Sequence, residues 1–124
     1  YLDWLKYISS RSKYRWQWKN YYLCANAAAA GQLEVLKWLR SIGCFWSLWT
    51  SQCASEKGHL EVLQWAQSNG CAWNEYGCDA AARGGHLNVL EWSISNGCPF
   101  RKETCINEAT KNNHHHIIEY INNL

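Results

Sequence analysis

One pattern of apolar and polar positions occurs three times along the chain. The pattern is GxLxVLxWxxSxGC, and its copies start at Gly31, Gly58 and Gly85, 27 residues apart. Within each copy the apolar residues are separated by three or four positions, which places them on one face of a helix. A fixed period that repeats across most of a chain is the signature of a repeat array. We therefore predict stacked units that share one continuous core.

Each unit is predicted to contain two helices. The segment before the pattern is rich in small side chains, which allow two helix backbones to approach closely, and it ends at a glycine that suits the left-handed position after a helix. These segments predict short first helices over residues 24–31, 51–58, 78–85 and 105–113. The pattern itself predicts a longer second helix with a broad apolar face. Gly43, Gly70 and Gly97 are predicted to end the second helices.

Weaker copies stand at the two ends of the chain. The last copy, NHHHIIEYINNL, matches the pattern with one inserted residue, and YLDWLKYIS at the start matches its central part. We divide the chain into residues 1–22, a partial N-terminal repeat helix plus a basic and aromatic insert, and a repeat array over residues 23–124. The units of the array are predicted at about residues 23–49, 50–76, 77–103 and 104–124.

An alanine-rich helix followed by GHLEVLxW and a Gly-Cys turn resembles the ankyrin-repeat family over about residues 23–120. Gly58-His59 and Gly85-His86 match the family's Gly-His step, and the Gly-Cys turns stand for its Gly-Ala. The abundance of Trp and Cys also resembles repeats found in giant viruses and amoebae. The resemblance implies a helical solenoid that binds other proteins along a concave surface and is not itself catalytic.

The chain departs from the family pattern in two ways. Its unit has 27 residues, whereas the ankyrin unit has 33. The interval from Gly97 to Thr104 is too short for the projecting β-hairpin finger of that family. The TPLH opening is also missing, so the hydrogen bonds of its histidine must come from other residues. The predicted fold is all-α: a helical solenoid of stacked helix-turn-helix ankyrin-like repeats with shortened or absent β-hairpin fingers.

Aromatic residues are abundant, with nine Trp and seven Tyr, and they form two sets. Those in the second helices are predicted to pack between units: Trp38, Trp65, Trp92 and Tyr120. A second set follows the Gly-Cys turns, where the finger would stand, and provides the candidate partner-binding residues: Trp46, Trp49, Trp73, Tyr76 and Phe100. We expect some of these to pack on a neighbouring loop. Exposed ones would be candidate hot spots, because Trp and Tyr dominate interface energetics.

The insert RSKYRWQWKNYY combines basic and aromatic residues. Residues 1–20 carry a charge of +4, and the rest of the chain carries −2. Basic groups interleaved with aromatic rings are typical of surfaces for single-stranded nucleic acid, and they also suit an acidic protein partner or a helix with an aromatic core face. The candidate residues are Arg11, Lys13, Arg15, Trp16, Trp18 and Lys19.

The chemistry-bearing residues predict neither a catalytic centre nor a metal or cofactor. The seven cysteines include no CxxC pair, and we expect them to act as small buried side chains in a reducing, intracellular and most simply cytoplasmic compartment. Of the consecutive His114, His115 and His116, at most two could share one ion on a helix. No apolar run is long enough to cross a membrane. Because the sequence lacks Met and starts at Tyr1, we expect it to be part of a longer protein.

The function predicted from these features is that of a non-catalytic protein–protein interaction scaffold. Its binding surface would be the concave face together with the short aromatic loops, and its partner another protein whose identity the sequence does not give. The first alternative is a structural subunit of a larger assembly or homo-oligomer. The second is nucleic-acid binding through residues 11–22.

Overall fold

The computed structural model of the chain describes Asp3 and residues 21–124. Most of the predicted N-terminal region, residues 1–22, therefore lies outside the described residues. The same holds for all six candidate residues of the basic and aromatic insert: Arg11, Lys13, Arg15, Trp16, Trp18 and Lys19.

Residues 21–124 form eight helices and no strand. The helices are α1 (Tyr21–Ala29), α2 (Leu33–Ser41), α3 (Leu48–Lys57), α4 (Leu60–Ser68), α5 (Glu75–Gly84), α6 (Leu87–Ser95), α7 (Lys102–Lys111) and α8 (His115–Asn122). The prediction of an all-α chain is confirmed for this range, and no β-hairpin finger is present in it. The longest of the eight has only ten residues, so no helix in this range is long and apolar enough to cross a bilayer.

The helices form four pairs with a regular order of contacts. Each first helix packs against the second helix of its own pair, and the first helices pack on one another in chain order, from α1 to α3, α5 and α7. Buried alanines such as Ala28, Ala54 and Ala81 let these first helices approach closely. The second helices bury equivalent leucines of the repeated pattern, Leu36, Leu63 and Leu90, against them. No unit could bury these side chains alone, which is why the units pack in a row.

Each first helix begins three residues before its predicted start, and in α3 and α5 the reason is N-terminal capping. Ser47 accepts a hydrogen bond from the backbone N–H of Trp49, and Thr50 accepts one in return from the N–H of Ser47. Asn74 caps α5 with a single bond, which its side chain accepts from the backbone N–H of Tyr76. The first helices therefore have nine or ten residues and are not shorter than the second ones. The predicted unit boundaries after residues 49, 76 and 103 consequently fall inside the first turns of helices.

The predicted helix ends agree with the structure. A left-handed backbone conformation occurs at all six repeat glycines: Gly31, Gly43, Gly58, Gly70, Gly85 and Gly97. In the last copy, which contains the inserted residue, Asn113 adopts this conformation with φ of 60°. Asparagine is the residue that tolerates such a position best after glycine, so the extra residue leaves the turn intact.

The recurring Gly-His step connects one helix pair to the next. The His59 ring donates a hydrogen bond from Nε2 to the carbonyl oxygen of Ala29, and His114 donates in the same way to Arg83, both at 3.0 Å. Each ring also lies over a glycine of the preceding pair. A Cβ atom at Gly31 would lie 2.7 Å from the His59 ring. The histidine and the glycine of the motif thus act across two successive units.

Candidate protein-interaction surface

Two sets of aromatic residues recur with the 27-residue step but have different surroundings. In the first set Trp46, Trp73 and Phe100 are half-buried and pack against the core. The Trp46 ring lies 5.7 Å from that of Trp65, and the Trp73 ring lies 5.4 Å from that of Trp92. These contacts fasten each connecting segment to the second helix of the following pair, so the packing of the structure occupies much of these rings.

The second set is exposed. Tyr22, Trp49 and Tyr76 stand in the first turns of α1, α3 and α5, and their exposed fractions are 51%, 49% and 50%. Because these helices pack on one another in order, the three residues form one row, which we call the aromatic stripe. Trp49 and Tyr76 had been assigned to loops from the sequence, and the structure places them in helices. Tyr22 was missed, although its 27-residue step from Trp49 is visible in the sequence.

Helix capping fixes the backbone beneath the stripe. The N–H of Trp49 donates to Ser47 Oγ and that of Tyr76 donates to Asn74 Oδ1, both at 3.1 Å. The side chains therefore project from regular helical turns. A ring carried by a rigid element loses less conformational freedom on binding than one carried by a loose loop, and more of its contact energy is retained.

A carboxylate occupies the next position of the stripe. On α7, the residue 27 positions after Tyr76 is Glu103, which is exposed. The nearby Arg101 is committed elsewhere: its guanidinium lies 4.9 Å from the Tyr76 ring centroid and forms an ion pair with the buried Asp79. The positive charge of Arg101 is thus balanced, and the stripe runs from aromatic rings toward a negative charge.

Asp79 also joins α5 to α7 directly. The Cys105 thiol donates a hydrogen bond to Asp79 Oδ1 over 3.3 Å. Burial, together with this hydrogen bond, raises the pKa of Cys105 to about 12. Arg101 stands at the N-cap position that Ser47 and Asn74 hold in the preceding pairs, and it makes no capping bond. Its ion pair with Asp79 instead joins the last helix pair to α5.

Side chains of the first helices and of the Gly-Cys turns hydrogen-bond the connecting segments to the helices. Ser51 Oγ donates to the carbonyl oxygen of Ala72 over 2.8 Å. The Cys71 thiol donates to the carbonyl of Ser47, and the Cys98 thiol donates to that of Asn74, over 3.5 and 3.4 Å. The Gly-Cys turns at Cys71 and Cys98 therefore use their thiols as donors to the N-cap carbonyl of the preceding first helix.

The cysteines and histidines are arranged for packing. All seven cysteines are free thiols, and six of them are buried. Burial raises the pKa of Cys71 and of the half-buried Cys53, which keeps these thiols protonated and weakly nucleophilic. His114 and His116 each direct Nε2 to a backbone carbonyl at 3.0 Å. Among Asp3 and residues 21–124, no group of three or more such side chains could hold a metal ion.

Chemically, the aromatic stripe offers flat apolar faces with polar edges. Such a surface suits an extended ligand that passes over successive helices. Neither a protein-family model nor a curated protein matches this sequence.

Proposed function

We propose that the chain is a non-catalytic protein-interaction scaffold, built as an ankyrin-like solenoid, that binds a partner protein along the aromatic stripe. The observation that carries this proposal is the repeated half-exposure of Tyr22, Trp49 and Tyr76 in the first turns of successive first helices, of which α3 and α5 are capped. Large aromatic rings left exposed in a row are typical of interaction surfaces, and Trp and Tyr are the residues most enriched among binding hot spots.

The contrast between the two aromatic sets supports this assignment. The chain packs Trp46 and Trp73 against neighbouring indoles, so it has the means to bury rings of this size. Three residues further on, Trp49 and Tyr76 remain half in solvent. Of the five candidates from the sequence, these two offer the most free ring surface for a partner. Phe100, like Trp46 and Trp73, contributes mainly to packing.

The order of the helices supports the ankyrin-like architecture. Four pairs succeed one another, the first helices pack in chain order, and the Gly-His contact recurs between neighbouring pairs. The shortened unit leaves room for capped helix starts in place of β-hairpin fingers. In such an array the first helices, which carry the stripe, and the turns beside them would form the concave binding side.

A non-catalytic role in a reducing compartment agrees with the use of cysteine. Thiols such as Cys71 and Cys98 serve as buried hydrogen-bond donors to backbone carbonyls. Free buried thiols in this number suit an intracellular protein, most simply a cytoplasmic one.

The test is selection of random twelve-residue peptides on the immobilised chain. Peptides enriched on the original chain are then measured on a Trp49→Ala/Tyr76→Ala variant and on a Phe45→Ala variant. Phe45 is a suitable control because its ring is 55% exposed but lies outside the stripe. We expect the double variant to lose binding by about 30-fold or more and the control to change little. Absence of enriched peptides, or equal binding to the double variant, would contradict the proposal.

A structural role in a larger assembly is the second candidate. It is favoured by the exposure of Ile42 and Phe45 in the turn between α2 and α3. Light scattering after size-exclusion chromatography distinguishes the two roles. A scaffold without its partner remains monomeric over a wide concentration range, whereas the measured molar mass of an assembly subunit increases with concentration. If the subunit assembles through these two residues, an Ile42→Ser/Phe45→Ser variant remains monomeric.

A further inference from the structure

We infer that the ligand of the aromatic stripe is a proline-rich segment in the polyproline II conformation, with a basic residue at one end. This inference rests on the proposed function and adds the class of ligand. It depends on the spacing of the exposed rings, on the donors they carry and on the charge that continues the row.

The spacing of the rings matches one turn of a polyproline II helix. Packed helices lie about 8–10 Å apart, so Tyr22, Trp49 and Tyr76 are expected to repeat at about that distance along the row. A polyproline II helix has three residues per turn and rises about 3.1 Å per residue, or about 9 Å per turn. One face of such a ligand would place a proline on each ring. A β-strand, whose side chains on one face repeat at about 7 Å, would fall out of step.

An α-helical ligand fits the surface less well. Residues seven positions apart on a helix repeat at about 10.5 Å, but a bound helix also needs a continuous apolar groove for its intermediate anchors. The positions that continue the exposed surface beyond the rings are polar: Asn26 is exposed on α1, and Gln52 is half-exposed on α3. The stripe therefore consists of separate aromatic rings with polar side chains beside them, and within residues 21–124 it lacks a continuous apolar groove.

The rings also carry donors that a polyproline ligand can use. A polyproline II backbone makes no internal hydrogen bonds, and its carbonyl oxygens need outside donors. Within residues 21–124, the Trp49 indole N–H and the Tyr76 hydroxyl make no hydrogen bond to another described residue, so both can donate to ligand carbonyls. Aromatic-lined surfaces that combine ring stacking with such donors are a general mode of proline-rich recognition.

The charge beside the stripe indicates where a basic residue of the ligand would lie. Glu103 occupies the next position of the row, and the half-exposed Glu75 precedes Tyr76. Arg101 is paired with Asp79, so its charge is not available to balance these carboxylates. An arginine one turn beyond the proline that stacks on Tyr76 would meet Glu103. The same carboxylates would repel a nucleic-acid backbone, so a peptide is favoured over a single strand of DNA or RNA.

Fluorescence anisotropy with labelled synthetic probes tests the inference on the full chain. The first probe, the proline–arginine peptide, has nine prolines followed by two arginines. The others are the same peptide with a Gly-Ser spacer in place of the prolines, eleven prolines without arginine, and a twelve-nucleotide oligo-dT. We expect the proline–arginine peptide to bind at least about tenfold more tightly than the Gly-Ser peptide, because the preformed ligand loses less entropy. The oligo-dT is expected not to bind.

Variants locate the binding and fix its polarity. Trp49→Ala and Tyr76→Ala should each weaken binding of the proline–arginine peptide about tenfold or more. Trp49→Phe keeps a ring but removes the indole N–H, so it should weaken binding less than Trp49→Ala, and Phe45→Ala should change binding less than about twofold. Glu103→Gln should weaken binding of the proline–arginine peptide and leave that of eleven prolines unchanged. Circular dichroism confirms that each variant is folded.

Three results would overturn the inference: equal binding of the Gly-Ser peptide, no binding of the proline–arginine peptide, or binding of oligo-dT at the stripe. The random-peptide selection separates this failure from failure of the proposed function. Enriched peptides that depend on Trp49 and Tyr76 but lack prolines at three-residue spacing would remove the polyproline ligand and leave the scaffold role standing. Binding insensitive to both residues would overturn both.

Discussion

The contact between Gly58 and His86 offers a sharp test of how successive units are joined. Gly58 ends α3 with φ of 76°, and a Cβ atom placed there would overlap the His86 ring, with Cε1 at 2.6 Å. Gly70 ends the following helix with φ of 86°, and a Cβ atom there would meet nothing within 4 Å. The two glycines therefore share the backbone requirement and differ in the contact across units.

The expected magnitudes follow from this difference. Alanine in the left-handed region costs about 1–2 kcal/mol, and this should be the whole loss of unfolding free energy in Gly70→Ala. Gly58→Ala should lose the same amount plus about 1–3 kcal/mol for overpacking against the imidazole. Removing the ring in Gly58→Ala/His86→Ala should recover the second part. The double variant should then lose about 1–3 kcal/mol less unfolding free energy than the two single variants lose together.

Urea unfolding followed by far-ultraviolet circular dichroism measures these losses, provided that the slope of free energy against urea is the same in all variants. A changed slope would indicate that the units no longer unfold together. Equal losses for Gly58→Ala and Gly70→Ala, or strict additivity in the double variant, would refute the role given to the Gly-His contact.

Three further predictions use the same unfolding assay or simple labelling. Arg101→Ala should lower the free energy of unfolding by about 1–3 kcal/mol because the buried Asp79 is left without its counter-ion. Removing the exposed ion pairs of Arg83 should lower it by less than about 1 kcal/mol, and equal losses would contradict the importance of burial. Burial lowers the pKa of His86 below its ordinary 6.5. The neutral His86 ring therefore contributes its full stability above pH 6.5, and this contribution is lost as the pH falls through the lowered pKa. A His86→Gln variant should lose less unfolding free energy between about pH 7.5 and pH 5 than the original chain. A thiol reagent should modify the half-buried Cys53 faster than the six buried cysteines in the folded chain; modification of several buried thiols as fast as Cys53 would contradict the described packing.

Several features of the fold could be predicted from the sequence because each depends on local periodicity. The second helices follow from apolar spacing, and Gly43, Gly58 and Gly70 mark helix ends because only glycine enters the left-handed region without strain. The missing strands follow from the shortened interval after Gly97. The capping residues Ser47 and Asn74 are also visible in the sequence, but the small-residue pattern favours later helix starts. The predicted first helices therefore begin three residues too late.

The sequence alone does not show which aromatic residues are packed and which are exposed. Trp46 and Trp49 are the same residue type with the same 27-residue periodicity, and nothing local distinguishes them. Their roles separate only when helix α4 brings Trp65 against Trp46, while Trp49 on α3 remains 49% exposed. The ion pair between Arg101 and Asp79 is likewise a contact over 22 residues that replaces a local cap.

The sequence by itself thus determined that this chain is a helical repeat, where its second helices lie and where each helix ends, because backbone preferences and the 27-residue period are written in neighbouring residues. Only the tertiary structure decided which aromatic rings are packed and which are exposed. Burial depends on the elements that meet across the units, and the side chains of one unit do not encode what the next unit covers.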